Sequence, residues 1–206
     1  MSLTPRTPRG TATKEKLLVA AEAVFADLGY HEASIVKITE AAGVSMGTFY
    51  TYFASKLQIF EELVEDLNRR VRRAMSEAST GQPTRIEAER AGFRAYFDFT
   101  ARHPALYRVI RQAEEVSPRA LQEHYERIID GYADGLRAAV AAGEIAPIDP
   151  DVAAWAFMGM GELIGLRWLL WESTGDEPPR MPEHIFEHTI DLVARALRPD
   201  RPQEAP

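Results

Sequence analysis

The spacing of apolar residues predicts an all-α fold, a small N-terminal three-helix head followed by a larger helical body. Three observations carry this. Apolar residues recur at the i, i+3/i+4, i+7 spacing of a helix face along most of the 206-residue chain. Convincing runs of strand-like alternation are missing, and so is any internal repeat. Gly, Pro and Ser/Thr clusters fall between the periodic stretches, where helices need starts and stops. With 46% hydrophobic and 27% charged residues, the chain can bury a core and is not a disordered protein.

In chain order, residues 1–12 are rich in Pro, Thr and Arg without an apolar period and are expected to form a flexible basic arm. A first helix follows with Thr13 as N-cap, Leu17, Ala21, Val24, Phe25 and Leu28 on its inward face, and Gly29 as its stop. The second helix is short, with Ile35, Ile38 and Ala42 inward and Gly43 at its end. From Ser55 a long helix opens on a capping box, Ser55 with Gln58, and carries Leu57, Phe60, Leu63, Val64, Leu67 and Val71. Residues 79–83 break the pattern, and further helices run through Phe93 to Thr100, Leu106 to Ile110 and Leu121 to Val140. The last two helices are expected over 152–171 and 182–197, ahead of a disordered tail at 200–206. The expected division is an arm at 1–12, a head at 13–56, a body at 57–199 and the tail.

Charge is unevenly spread. Residues 1–56 hold six Lys/Arg against five Asp/Glu, a net +1, while the whole chain carries −7. An acidic body with a non-acidic head permits contact with nucleic acid through the head alone, since phosphate attraction is screened over about 8 Å at physiological salt. The absence of cysteine removes disulfides and thiolate chemistry. No secretory pattern opens the sequence, so a cytoplasmic location is expected. Residues 152–171 are long enough to span a bilayer, but Glu162 and Arg167 lie inside them, each costing about 2.5–3.5 kcal/mol near a membrane centre. A membrane role is therefore not expected; a helix apolar nearly all round is instead covered on several sides, here by its own domain and a partner chain.

The segment from Ile35 to Lys56 carries the most information. Two short helices separated by a glycine, apolar on both sides, form the helix-turn-helix pattern, whose second helix enters the major groove of DNA. Gly43 suits the left-handed residue that ends the first helix, Val44 plugs the corner and Ser45 caps the second helix. Phe49 and Phe53, four residues apart, face the head's core against Leu17, Phe25 and Ile38. The candidate DNA-contacting set is Lys37, Ser45, Met46, Gly47, Thr48, Tyr50, Thr51, Tyr52 and Lys56. Gly47 allows close backbone approach, the threonines reach base edges or phosphates, and the tyrosine hydroxyls reach phosphates. Lys56, in the first turn of the long helix, is expected to bind a phosphate beside orphan N–H groups.

Residues 13–60 resemble the DNA-binding head of the tetracycline-repressor (TetR) family. The resemblance rests on Phe25, Gly29, Tyr30, Ile38, Ala42, Gly43, Val44, Ser45, Gly47, Phe49, Tyr50, Phe53, Ser55 and Lys56. Thr39 stands where the family usually has Ala, and is expected to bond its hydroxyl back along the helix; Met46 stands where a basic or polar residue is frequent. The resemblance implies a homodimer joined through 152–171 and 182–197, two heads in successive major grooves of a palindromic operator, and a body that holds a small-molecule inducer. Repression relieved by ligand is the implied function. Activation is the alternative, since sequence does not set the sign of regulation.

The candidate ligand-binding residues are Phe93, Phe97, Tyr107, Ile110, Arg111, Tyr125, Ile128, Trp155, Met158 and Glu162, with Tyr132 beside them. Aromatics and Met around few polar groups suit an apolar, acyl or aromatic ligand, although the same residues serve equally as core. Arg111, Glu114 and Glu162 either orient a ligand's polar end or form ion pairs, and Glu162 and Arg167 are candidates to pair across the dimer. Ligand binding is expected to swing the heads through the long helix that begins at Ser55. His184 and His188 spell the H-x-x-E-H pattern of a zinc hydrolase, but the carboxylates that follow are only Asp191, Asp200 and Glu204. Without a nucleotide loop or nucleophile elbow, neither a catalytic residue nor a cofactor or metal is expected.

Overall fold

In a computed structural model of the chain, residues 7–172 and 179–199 are described; they are helical, with no strand among them. The helices are α1 (Pro8–Glu32), α2 (Ile35–Ala42), α3 (Met46–Tyr52), α4 (Lys56–Ser79), α5 (Arg85–Arg102), α6 (Ala105–Val116), α7 (Pro118–Ala141), α8 (Pro150–Gly165) and α9 (Glu183–Leu197). None is long and apolar enough to cross a membrane among the described residues. The chain forms two compact units, one through Arg69 together with Ala105–His124, the other Arg70–Pro104 together with the chain from Tyr125. The expected head and body boundary at residue 56 is thereby corrected. The first unit takes in the first half of α4, all of α6 and the start of α7.

In the first unit, Leu17, Ala21, Phe25, Ile38, Phe49, Phe53, Phe60, Leu63 and Leu67 are fully buried. Phe25 meets Phe60 edge-on at 5.3 Å, and Tyr30 closes the cluster 5.2 Å from Phe60. The first helix starts earlier than expected. Thr7 is its N-cap, accepting the Gly10 N–H at 3.2 Å, and Pro8 supplies the preset φ of a first helical residue. Residues 7–12 therefore belong to the cap and first turn of α1 and not to an arm; 1–6 and the tail at 200–206 lie outside the described residues. Gly29, at φ 75°, breaks α1 where a stop was expected, and one further turn follows to Glu32. Gln112 of α6 holds this broken end, accepting the Tyr30 N–H at 2.6 Å and donating to the Phe25 carbonyl at 3.1 Å. Asn68 of α4, buried, donates to the His124 carbonyl at 2.8 Å, so this amide finds a partner inside the unit.

The second unit packs α5, α7, α8 and α9 around Phe93, Phe97, Ile129, Leu136, Phe157, Phe186, Ile190 and Leu197. Thr84 caps α5, accepting the Glu87 N–H at 3.2 Å while its hydroxyl donates to the Glu87 carboxylate at 2.8 Å. Asp149 caps α8, with Pro150 in its first turn. Two bidentate pairs tie α5 to α9: Arg90 with Glu187, and Arg94 with Glu183, the Arg94 guanidinium lying 3.4 Å over the Phe186 ring. Within the core, Arg85 and the Tyr132 hydroxyl both donate to Glu89, which is almost wholly buried. The expected single helix over 152–171 ends at Gly165 and continues as a π-helical segment, Leu166–Trp171. That wider turn brings Arg167 to Glu172, 2.7 Å away, five residues on. In α8, Gly161 lies close to α5, where a Cβ would be 3.3 Å from Phe93. At Gly159 nothing lies near.

Candidate nucleic-acid interface

The turn between α2 and α3 is built as its residue types require. Ser34 caps α2, accepting the Lys37 N–H at 3.2 Å. Gly43 adopts φ 64°, ψ 37°, a left-handed conformation that an L side chain rarely takes, and its N–H returns to the last turn of α2. Ser45 caps α3 through the Thr48 N–H at 3.1 Å, and its hydroxyl also meets that of Thr48 at 2.9 Å. Thr39, buried, bonds the Val36 carbonyl at 2.9 Å, which lets a hydroxyl stand where the family has a methyl group. Phe49 and Phe53 are fully buried 5.6 Å apart and anchor α3 on the core, with Lys14 5.5 Å over the Phe53 ring.

Anchoring one face of a seven-residue helix presents the other. Met46, Gly47, Tyr50 and Thr51 are exposed, while Thr48 and Tyr52 are half-buried. Tyr50, 54% exposed, packs edge-on at 5.5 Å against Phe49, a ring fixed in the core. Nothing inside the protein requires glycine at 47, because a Cβ there meets only the Ser45 hydroxyl at 3.8 Å. A helical glycine costs about 1 kcal/mol relative to Ala, and no contact within the chain offsets it. Thr51 spends its proton on the Gly47 carbonyl at 3.1 Å, leaving its oxygen as an acceptor. Lys37 is exposed and gives one proton to the Glu32 carbonyl at 3.0 Å, leaving two. Val36, on the same short helix, is also exposed.

Lys56 does something else. Its ammonium donates to the carbonyls of Tyr30 at 2.7 Å, Ala33 at 2.8 Å and His31 at 3.4 Å, and sits 4.3 Å from the centre of the Tyr30 ring. All three protons are thus directed at the turn between α1 and α2. The expectation that Lys56 binds a phosphate is corrected: it is an internal clamp. Beneath it, burial and then the nearby Glu61 carboxylate push the Tyr30 phenol up.

The candidate ligand residues are divided between the two units. Tyr107 and Ile110, buried, and Arg111, exposed, lie on α6 in the first unit; Phe93, Phe97, Tyr125, Ile128, Trp155, Met158 and Glu162 lie in the second. Phe93 and Phe97 are core. Tyr125 donates to both Glu162 oxygens at 3.1 Å, and its ring lies 6.0 Å from Trp155. Within the chain, Arg167 pairs with Glu172 at 2.7 Å. Val152, Trp155 and Leu163 of α8 and Leu192 of α9 are large apolar side chains left at the surface. On α9, His184 and His188 are exposed; among the described residues no three His, Asp or Glu gather as a metal site, and Asp200 and Glu204 lie outside those residues.

A capped α2, a left-handed glycine and a short α3 with its polar and aromatic face outward define a helix-turn-helix DNA-binding protein. The family model described as "Bacterial regulatory proteins, tetR family" matches residues 17–63, and "Tetracyclin repressor-like, C-terminal domain" matches 90–193, half of the chain. The chain belongs to the TetR family and is a DNA-binding transcription regulator. It is 27% identical over 150 residues to YhgD, an uncharacterised HTH-type transcriptional regulator of Bacillus subtilis, covering 70% of this chain and 78% of that one. It is 36% identical over 106 residues to the HTH-type transcriptional activator FasR of Mycolicibacterium smegmatis, covering 50% of this chain and 47% of that one. Its fold is that of the solved fatty acid degradation regulator FadR from Bacillus halodurans, with TM-score 0.78 and 20% identity over 92% of this chain and 96% of that one. These relatives are regulators, and nothing among them supports a zinc hydrolase.

Proposed function

We propose that this chain is a cytoplasmic homodimeric repressor that binds a palindromic operator through α3 and is released by a small apolar, acyl or aromatic ligand. The exposed Met46–Tyr50–Thr51 face, on a helix whose opposite side is locked by Phe49 and Phe53, carries the DNA-binding half of this reading. Dimerisation through α8 and α9 is favoured by the surface positions of Val152, Trp155, Leu163 and Leu192, apolar side chains that a partner would cover. The ligand half rests on the aromatic and Met side chains of α5, α7 and α8 in the second unit, and on the name of the fatty acid degradation regulator that shares the fold. Arg111, exposed on α6, is withdrawn as an anchor for a ligand carboxylate. The Tyr125–Glu162 pair is the polar group beside Trp155 and takes its place as the candidate orienting group.

Release follows if ligand favours a head spacing that no longer fits two major grooves about 34 Å apart, and it is no stronger than the ligand's preference for that state. The chain passes from one unit to the other within α4, at the α5–α6 connection and within α7, so any of the three carries the change. Fluorescence anisotropy against DNA from upstream of the protein's own gene, with excess nonspecific competitor, tests the reading. Saturable binding by an even number of chains, reversed by an acyl or aromatic compound, is expected; binding that no competitor distinguishes from random DNA would sink it. Activation is the second reading, favoured by the likeness to FasR, an activator by name. A reporter assay separates the two by the sign of the change when the gene for this chain is deleted.

A further inference from the structure

The histidine pair of α9 is not used by DNA binding and is not part of the helical core. His184 and His188 are one turn apart on the exposed side of the helix, and the same stripe continues to Leu192, 54% exposed, while Phe186, Ile190, Val193 and Leu197 fill the opposite side. The His188 Nδ1 lies 2.6 Å from the His184 carbonyl oxygen. A carbonyl only accepts, so in the neutral ring the proton resides on Nδ1 and the lone pair on Nε2. Metal-binding histidines have this arrangement, one ring nitrogen donating to a carbonyl or carboxylate so that the other is held as a ligand.

Two imidazoles at i, i+4 supply half of a tetrahedral set. The adjacent carboxylates do not complete it, because Glu183 and Glu187 are held in bidentate pairs by Arg94 and Arg90. Among the described residues no third His, Asp or Glu gathers with the pair, which points to ligands from a partner chain. A two-fold axis beside α9, which would cover Leu192, brings up an identical pair. We propose that His184 and His188 are half of a zinc-class metal site that the same two residues of a second copy complete, so that one ion bridges the dimer. The inference rests on the proposed α8/α9 dimer, and it assigns the metal a structural task, with no water activation and no hydrolysis.

The test uses the full chain without a histidine tag, stripped with EDTA and dialysed. Zn²⁺ binding is measured by equilibrium dialysis and dimerisation by sedimentation equilibrium, for the native chain and for the His184→Gln, His188→Gln double variant. Expected are one Zn²⁺ per two chains and a dimer dissociation constant at least about tenfold lower with zinc, both lost in the double variant, which dimerises like the native chain in EDTA. Two ions per dimer without tighter association, no binding, or equal binding by the double variant each overturn the bridge. A dimer in EDTA that zinc leaves unchanged rejects the metal site alone; a chain that stays monomeric with and without zinc rejects the dimer as well.

Discussion

Replacing Lys56 with Met keeps most of the aliphatic stem and removes three charged donors from the carbonyls of Tyr30, His31 and Ala33. A hydrogen bond to a charged group contributes about 1.5–3 kcal/mol net when its partner remains buried. The 2.7 Å and 2.8 Å bonds are part-buried and the 3.4 Å one is exposed, so water recovers part of the loss. The expected cost is about 2–3 kcal/mol, below the sum of the separate bonds, because the three share one ammonium. For a chain of this size that corresponds to a melting temperature lowered by about 5–10 °C. Urea and thermal unfolding measure it. DNA binding at 20 °C, well below the transition, should keep the native dependence on salt. A variant of native stability whose salt slope is shallower by one phosphate contact per head would refute the clamp and return Lys56 to the DNA.

The other perturbations probe the remaining surfaces and the buried acid. Tyr50→Ala should weaken specific DNA binding by about 5- to 100-fold, the range of one or two lost polar contacts, with melting unchanged because the side chain is exposed; native affinity in the anisotropy titration would take Tyr50 out of the interface. Leu163→Glu should raise the dimer dissociation constant at least about a hundredfold by burying unpaired carboxylates near a two-fold axis, and an unchanged sedimentation profile would move the interface off this face of α8. Burial holds the Glu89 carboxyl above its ordinary value of 4.5, against the opposing pull of Arg85 and of the Tyr132 hydroxyl. The folded chain thus keeps a proton that the unfolded chain has lost, so this contribution to stability is full below about pH 4.5 and fades as pH rises through the folded value. Glu89→Gln removes that dependence, and the variant should gain on the native chain as pH rises through the window. Urea midpoints of the two proteins that stay parallel with pH would contradict it.

What the sequence made legible was local. The α2–α3 turn depends on Gly43, Ser45 and the Phe49/Phe53 spacing, all within a dozen residues, and each behaves as its type dictates. The misreadings needed distance or a choice between equal signals. Thr7-Pro8 fits a turn as well as a helix cap, and the cap prevails once Thr7 accepts the Gly10 N–H and α1 continues into the core. The partners of Lys56 lie 23 to 26 residues upstream, beyond the reach of a rule about helix starts. Periodicity shows that α6 has a buried face, but not that the face belongs to the first unit, where Gln112 closes the end of α1. A segment apolar on all sides has no phase to lose, so the change from α to π winding at Leu166 left no mark in the pattern.

Removing Lys56 from the DNA surface changes what holds the operator. Of the basic residues from 7 to 56, Lys14 pairs with Glu62 and Lys56 faces inward, leaving Arg9, Lys16 and Lys37 exposed. Each phosphate neutralised contributes about −0.9 to the slope of log affinity against log salt. Three cations per head in a dimer therefore set a slope no steeper than about −5, and Arg6, outside the described residues, extends it to about −7. On the proposed interface, binding this weakly electrostatic is expected to draw its strength from uncharged contacts: the Gly47 backbone, the Thr48 and Thr51 oxygens and the Tyr50 hydroxyl. Specific and nonspecific DNA should then differ more in affinity than in salt slope. Titrations from 50 to 300 mM salt on both DNAs measure this, and a slope near −10 would show that cations outside residues 1–56 reach the phosphates, against a head that binds by fit more than by charge.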